Sequence, residues 1–210
     1  MSGAKESPQS TETRILKRIR RRGSGSVFTA SDFLDLAGRS TVDWVLARLV
    51  RRGGLRRLAR GLYDYPARHP VLGELSPPVE AIAKALAGRD RLKLLPGPAY
   101  AANLLHLSEQ VPARVVFLTD GLSRKVKVGN QEIHLQHTTP RNLAGAGRAS
   151  GLVIQALRHL GKKAVSFDRV APLHALLEEK DRRQLLEDLP LAPAWMHPFL
   201  RAIAEGGPTP

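Results

Sequence analysis

The sequence contains no cysteine, which excludes disulfides, cysteine-ligated zinc sites and thiol nucleophiles. It also lacks an uninterrupted run of about 18 apolar residues, the length at which a membrane-spanning helix is expected. The opening residues, MSGAKESPQSTE, carry no apolar segment of the kind that defines a secretory signal. We therefore expect a cytoplasmic protein with no membrane partner.

Positive charge is what the chain has in excess. Its 210 residues carry a formal net charge of +14 and an isoelectric point near 11, which points to a polyanionic partner. Residues 1–70 hold 15 Lys and Arg against 6 Asp and Glu, whereas residues 71–210 hold 18 against 13. Hydrophobic residues make up 42% of the chain, enough for a buried core. The basic field therefore belongs mainly to the first third of a folded protein.

The first third has the element order of a winged helix-turn-helix. After residues 1–10, which are polar and expected to be disordered, a basic helix runs from Thr11 to Arg22. A short strand, SVF, and a second helix, ASDFLDLA, follow. A tight turn at Gly38-Arg39 then separates the second helix from a third.

The third helix and the segment after it supply the recognition helix and the wing. We expect Ser40 to cap the helix TVDWVLARLVRR, which ends at Gly53-Gly54. The sequences LRRL and LYDY then predict two short strands joined by a turn at Gly61. The predicted winged helix-turn-helix domain covers residues 11–66.

The remaining chain predicts a second domain of mixed α/β type. Prolines mark residues 67–76 as a linker, and the domain extends over 77–205, with a tail at 206–210. It opens with the helix PVEAIAKALAG, and the segments ARVVFLTD, SRKVKVG and QEIHLQHT predict a small β-meander. A helical tail follows, with helices at Ser150–Leu160, Pro172–Lys180, Asp181–Leu189 and Ala194–Ala204. The predicted fold class is α+β.

The third helix has an apolar face with the spacing of a buried surface and a basic face opposite to it. The basic face holds Thr41, Trp44, Ala47, Arg48 and Arg51. A helix of this width fits the major groove of DNA, where Arg48 and Arg51 are expected to contact guanine or phosphate. Ser40 and Thr41, in the first turn, are expected to bond phosphate with help from the helix dipole.

Trp44 is unusual on this polar face, because an exposed indole gives up its hydrophobic contribution. Two interpretations stay open. In one, the ring stacks on a sugar or a thymine methyl of DNA or packs under the wing. In the other, it makes a local contact with the first helix or with a dimer partner.

Four further arginines lie at the end of the helix and in the hairpin: Arg52, Arg56, Arg57 and Arg60. A wing in this position meets the phosphate backbone or the minor groove. The alternative is a solvated basic surface on an ordinary core. We favour DNA, because the charges lie on the two elements that a winged helix uses for binding.

The order of three segments resembles a known family. STVDWVLARLVRRGGLRRLARGLYDYP, LPGPAYAANLLHLSEQVPARVVFLTDG and LEDLPLAPAWMHPFLRAI are similar to the AbiEi-type antitoxins of type IV toxin–antitoxin systems, which act in abortive infection, a phage defence. The resemblance implies a winged helix that binds operator repeats and represses its own operon. It also implies a C-terminal domain that counteracts a nucleotidyltransferase-like toxin, with or without direct contact. Trp44 departs from the family pattern, in which a polar residue is expected.

Outside the first third, the segment SRKVKV is a candidate contact surface. Arg124, Lys125 and Lys127 are its basic residues, and RNA, the toxin or DNA are its candidate partners. The alternative is an edge strand that lysines protect against aggregation, and we favour this alternative. At the level of the whole protein, the second hypothesis is a basic module that binds RNA or the toxin directly, without operator-specific regulation.

No motif predicts an enzyme, a metal site or a cofactor. GSVFTASDFLD resembles a nucleotidyltransferase signature, but Asp32 and Asp35 lie in a helical segment and cannot both project from a strand. His134 and His137 fall on opposite faces of a strand and lack a third ligand. The segment GAGRASG lacks the lysine of a phosphate-binding loop and is expected to be a flexible loop that caps a helix.

Overall fold

The computed structural model describes residues 8–110, 112, 114–129 and 131–207. These residues form helices and small sheets, so the predicted α+β class is confirmed. They divide into an N-terminal unit, drawn from residues 1–91 and 126–131, and a C-terminal unit, drawn from residues 92–125 and 132–210. The division falls after Arg91, so the helix expected to open the second domain belongs to the N-terminal unit.

The N-terminal unit is a winged helix with a hairpin and a helix added after the wing. Its elements are α1 (Pro8–Arg22), β1 (Val27–Phe28), a 3-10 turn (Ala30–Phe33), α2 (Arg39–Arg51), β2 (Arg56–Ala59), β3 (Leu62–Asp64), β4 (Arg68–His69), β5 (Gly73–Glu74) and α3 (Val79–Asp90). Strands β1, β3 and β2 form an antiparallel sheet in that order. Helix α2 and the β2–β3 hairpin stand where the sequence predicts a recognition helix and a wing.

Apolar residues at helical spacing build the core of this unit. The sequence predicts an apolar face of Val42, Val45, Leu46, Leu49 and Val50 on α2. The first four are buried, and Val50 is half-buried against the same core. Phe28 packs edge-to-face on Phe33, with ring centroids 5.5 Å apart. Burial of one face of α2 fixes which side chains of the helix point outward.

Two details before α2 differ from the prediction. The second helix is only the 3-10 turn Ala30–Phe33. Arg18 donates to the carbonyl oxygen of Asp32 at 2.9 Å. The N–H of Leu36, which a continuing α-helix would direct to that carbonyl, bonds the carbonyl oxygen of Phe33 at 2.9 Å instead. The N-cap of α2 is Gly38 and not Ser40, because helical residues already begin at Arg39.

The start of α1 and the segment after the wing also differ from the prediction. Helix α1 begins at Pro8, so the last residues expected to be disordered are helical, and the rest of that segment lies outside the described residues. The expected linker, residues 67–76, carries the β4–β5 hairpin. The prolines of this segment predict an irregular linker. Strands of only two residues are too short to show the alternation of apolar and polar residues by which a strand is recognised in a sequence.

The second half of the chain contributes one sheet and a set of short helices. Its elements are β6 (Leu94–Pro96), α4 (Pro98–Leu104), β7 (Val115–Thr119), β8 (Arg124–Val128), β9 (Gln131–His137), α5 (Ala149–Leu160), α6 (Phe167–Val170), α7 (Pro172–Leu176), α8 (Glu179–Glu187) and α9 (His197–Glu205). The predicted helical tail is confirmed, although α7 ends earlier than expected. No helix among the described residues has the length and apolarity needed to cross a membrane.

The predicted β-meander is wrong in its strand order. The order is β6-β7-β9-β8, and β9 pairs with β7 in parallel, with Val115 opposite Ile133. A meander would place these strands side by side in chain order. Burial explains the difference, because the central strands carry Phe117, Ile133 and Leu135, which are buried. The lysine-bearing β8 takes the edge of the sheet.

The segment GAGRASG is a tight turn into α5 and not a flexible loop. A Cβ added at Gly151 would lie 2.1 Å from the carbonyl oxygen of Gly145, so the two backbones are in contact. Asp188 secures the turn, because its carboxylate accepts hydrogen bonds from Arg148 and from the hydroxyl of Ser150, each at 2.5 Å. Gly145 and Gly151 are therefore required by packing.

Candidate nucleic-acid interface

The outward face of α2 holds the residues that the sequence assigns to DNA. Ser40 and Arg51 are exposed, Thr41 and Arg48 are half-buried, and Trp44 keeps 44% of its surface exposed. The buried face of the helix anchors this arrangement to the core. The charges of the outward face are all positive apart from Asp43, which pairs with Arg39 at 2.8 Å.

Three arginines of the predicted site are exposed and make no ion pair with any described residue. They are Arg51, Arg57 and Arg60. Arg51 is the last residue of α2, Arg57 lies on β2, and Arg60 precedes Gly61, whose φ of +72° makes the wing turn. A guanidinium without a carboxylate partner keeps its full charge available to an external anion. These three side chains form the free cationic set of the interface.

Arg56, which the sequence assigns to the wing contact, is instead part of the fold. Its guanidinium bonds both carboxylate oxygens of the buried Asp64, at 3.1 and 2.6 Å, and donates to the carbonyl oxygen of Leu75 at 2.7 Å. Glu74 lies 3.7 Å away. The hydrogen bonds to Asp64 hold the pKa of Arg56 above its ordinary value. Arg56 is therefore a brace at the base of the wing.

Asp64→Asn is expected to lower the free energy of unfolding by about 2 kcal/mol, because it removes the charge that faces Arg56 inside the fold. Urea denaturation followed by circular dichroism at pH 7 measures the loss. The control is Asp43→Asn, which breaks the exposed pair with Arg39 and should cost less than about 0.5 kcal/mol. Equal losses in the two variants would contradict the assignment of Arg56 as a brace.

Arg48 and Arg52 both turn toward one carboxylate of α1. Arg48 Nε lies 3.4 Å from Glu12 Oε2, and Arg52 Nη1 lies 3.1 Å from Glu12 Oε1. The guanidinium carbon of Arg48 also stands 5.1 Å from the ring centroid of Trp44, a cation–π contact. Trp44 thus has a partner on its own helix, which neither interpretation of the sequence named.

A basic groove on α1 was not assigned by the sequence, although the helix was expected to be basic. It has a volume of about 510 Å³ and is lined by Arg14, Lys17, Arg18, Arg21, Arg22 and Leu36. The spacing of three and four between its cations is the signal that could have found it, because such residues share one face of a helix. Arg18 and Arg22 are held by Asp35 and Asp32, at 2.7 and 2.9 Å. Lys17 and Arg21 are exposed.

The two carboxylates that resemble a nucleotidyltransferase signature are structural. Arg18 forms two hydrogen bonds with the carboxylate of Asp35, and these lower the pKa of Asp35 and raise that of Arg18. Asp32 accepts the backbone N–H of Thr29 at 2.8 Å and pairs with Arg22. Both carboxylates therefore hold the turn to α1 through ion pairs with Arg18 and Arg22.

The candidate residues outside the winged helix lie on an edge strand. Arg124, Lys125 and Lys127 belong to β8, where the two lysines are exposed and Lys125 Nζ lies 3.9 Å from Glu132. This is the placement that the protected-edge interpretation expects. Contact of these residues with RNA, toxin or DNA stays a prediction.

The two histidines of the H-x-x-H pair, His134 and His137, bond different groups of the protein. His134 bonds Glu132 at 2.8 Å and lowers the pKa of that carboxyl, whereas His137 bonds the carbonyl oxygen of Gly121 at 3.0 Å. Across the part of the chain that the structure describes, no three His, Cys, Asp or Glu side chains gather in a way that could hold a metal ion.

The family relationship covers both the winged helix and most of the second half of the chain. A family model described as a family of unknown function, DUF6088, matches residues 14–185. The chain belongs to the DUF6088 family. The matched range begins in α1 and ends in α8, so it includes α2, the β2–β3 hairpin and the four-stranded sheet. No curated protein matches the sequence. The description of DUF6088 names no activity.

Proposed function

We propose that the protein is a cytoplasmic, operator-binding repressor and the antitoxin of a type IV toxin–antitoxin operon. The observation that carries the DNA-binding part is the free cationic set. Arg51, Arg57 and Arg60 are exposed, are unpaired among the described residues, and lie on the recognition helix and the wing. These are the elements through which a winged helix meets DNA.

Charge distribution supports a two-step mechanism. Residues 1–70 carry 15 basic against 6 acidic residues, a field that attracts the phosphate backbone of any duplex. Lys17 and Arg21 in the basic groove of α1 add to this attraction. Helix α2 then reads base edges in the major groove, while Arg57 and Arg60 hold the backbone.

Arg51 is the leading candidate for base readout. Arg48 lies one turn earlier on the same face, but in the free protein its guanidinium faces Glu12. Ser40 and Thr41 stand at the start of α2, where a hydroxyl and the helix dipole favour a phosphate. The site therefore combines one sequence-reading arginine with several contacts that fix its position on the duplex.

The antitoxin part of the proposal rests on the resemblance to the AbiEi-type antitoxins. The segments after the wing that carry this resemblance fall on α4, β7, α8 and α9. In this proposal they form the domain that counteracts a nucleotidyltransferase-like toxin encoded beside the repressor. The two activities share one chain, so loss of the antitoxin would also relieve repression of the operon.

Fluorescence anisotropy of the purified chain with four probes tests the proposal. They are a duplex from upstream of its own gene, a scrambled duplex, an RNA of the same sequence, and the labelled product of the neighbouring gene. We expect the upstream duplex to bind at least about tenfold more tightly than the scrambled duplex at physiological salt. Equal binding of both duplexes, or a preference for RNA, would favour the second hypothesis of a basic interaction module.

Antitoxicity is tested separately in cells. Expression of the neighbouring nucleotidyltransferase-like protein alone is expected to arrest growth, and co-expression of the full chain is expected to restore it. A variant that cannot bind the operator, supplied from an unrelated promoter, should still restore growth. Continued arrest in the presence of the full chain would contradict the antitoxin part and leave the DNA-binding part standing.

A further inference from the structure

Glu12 is a nearly buried carboxylate on α1 that lies against two arginines of the recognition helix. Only 8% of the residue is exposed. Its two oxygens face different partners, with Arg52 Nη1 at 3.1 Å from Oε1 and Arg48 Nε at 3.4 Å from Oε2. Two cations thus converge on one anion inside the N-terminal unit.

The two arginines are spaced as a clamp. Arg48 and Arg52 are four residues apart, so they stand one above the other at the C-terminal end of α2. The ring of Trp44 lies against the guanidinium of Arg48 and limits its freedom. Guanidinium groups that hold two carboxylate oxygens also suit the two free oxygens of a phosphodiester. The clamp therefore fits a backbone phosphate.

The carboxylate of Glu12 does not use all of its hydrogen-bonding capacity in this position. Its Oε2 is buried and accepts no hydrogen bond from the described residues, although Arg48 lies close enough for charge attraction. A buried oxygen without a hydrogen bond is costly to keep. The Glu12 contact is thus weaker than two charge-assisted hydrogen bonds would be, and a better anion can replace it.

We infer that Arg48, Arg52 and Trp44 form a phosphate clamp that Glu12 occupies in the free protein, so that DNA must displace Glu12 to engage it. This inference rests on the proposed DNA-binding function. Glu12 is then an internal competitor that lowers affinity for every duplex, whatever its sequence. Arg48 and Arg52 act on the backbone, while Arg51 and the wing keep their own contacts.

Binding of the upstream duplex by Glu12→Gln tests the clamp. The variant is expected to bind about tenfold more tightly than the unchanged chain, since the competitor is gone and both arginines are available. The scrambled duplex should gain by the same factor. The control is Glu109→Gln, which removes the same charge from an exposed residue of the C-terminal unit and should change affinity less than twofold. A gain no larger than that of the control would overturn the inference.

A double-mutant comparison separates the clamp from a general effect of charge. In a chain that already carries Arg48→Ala and Arg52→Ala, adding Glu12→Gln should bring no gain. A full gain in that background would also overturn the clamp. Glu12→Asp keeps the charge but shortens the reach, so it should gain part of the affinity. Thermal melting checks that each variant folds, and Glu12→Asp decides the question if Glu12→Gln does not fold.

Failure of the clamp and failure of the proposed function give different results. If the unchanged chain binds neither duplex, the proposed function is wrong. If the unchanged chain binds DNA, and alanine at Arg51, Arg57 and Arg60 abolishes that binding, the proposed DNA-binding function stands. If Glu12→Gln then matches its control, only the clamp is wrong.

Discussion

Alanine at Arg51, Arg57 and Arg60 together is expected to weaken binding to the upstream duplex at least about a hundredfold at 0.1 M salt. Each of these side chains is exposed and unpaired among the described residues, so each can neutralise a phosphate or meet a base edge. Three lost contacts should also make the slope of log K against log salt shallower by about two to three. Anisotropy titrations at four or five salt concentrations measure both quantities.

The matched control removes three positive charges elsewhere. Lys162, Lys163 and Arg201 are exposed residues of the C-terminal unit, and their alanine variant should keep the slope and lose less than about threefold in affinity. Comparable losses in the two triple variants would show that net charge, and not the winged helix, drives binding. The site assignment would then be wrong.

Single substitutions divide the free cationic set by role. Arg51→Ala is expected to cost about 1–3 kcal/mol on the upstream duplex and much less on the scrambled one, since base contacts depend on sequence. Arg57→Ala should weaken both duplexes alike, because backbone contacts carry no sequence information. Equal behaviour of the two variants on the two duplexes would contradict the assignment of Arg51 to base readout.

Gly151→Ala is expected to lower the free energy of unfolding by about 3 kcal/mol or more. The added Cβ would stand 2.1 Å from the carbonyl oxygen of Gly145 and 2.6 Å from its carbonyl carbon. Backbone atoms cannot move aside as the end of a side chain can, so α5 or the turn before it must shift. Val153 and Leu157 on the same helix are buried in the core of the C-terminal unit and would be displaced with it. Urea denaturation monitored by circular dichroism gives the loss.

Gly88→Ala is the control for glycine replacement itself. Gly88 is an exposed residue of α3, and a Cβ there meets nothing within 4 Å. The change should stabilise the protein by up to about 1 kcal/mol, because alanine is the better helix former. If Gly151→Ala proved as well tolerated as Gly88→Ala, the close approach of the two backbones would not be needed for the fold.

The sequence predicts α2 well because the evidence for it is local. The period of Val42, Val45, Leu46 and Leu49 identifies the buried face, and Gly53 marks the end. Helix boundaries are harder to predict from local sequence. Ser40 is a good N-capping residue by type, yet Gly38 is the N-cap of α2. The face that carries the candidate site therefore follows from the pattern, whereas its first residue does not.

Pairings between distant parts of the chain were not predictable in the same way. The position of β9 between β7 and β8 depends on which strands bury their side chains, and chain order suggests the opposite arrangement. The ion pairs of the candidate nucleic-acid interface were equally unpredictable from the sequence. Arg56 and Arg57 are adjacent and chemically identical, but only Arg56 meets a buried carboxylate. Glu12 lies 36 residues from Arg48 in the chain and gives no sign of the contact between them. Composition locates the basic surface, and long-range contacts decide which arginines remain free.

The brace at Arg56 has a consequence for the smallest part of the chain that can work alone. One guanidinium joins Asp64 in the wing to the carbonyl oxygen of Leu75, beyond the β4–β5 hairpin. Helix α3, which follows, packs on β1 and buries Ile82 and Leu86. A fragment cut at Pro66 would contain every residue of the free cationic set but would lose the hydrogen bond from Arg56 to Leu75 and the packing of α3 on β1. If the protein binds DNA as proposed, the smallest fragment that folds and binds alone is therefore expected to be longer than residues 11–66 and to include α3.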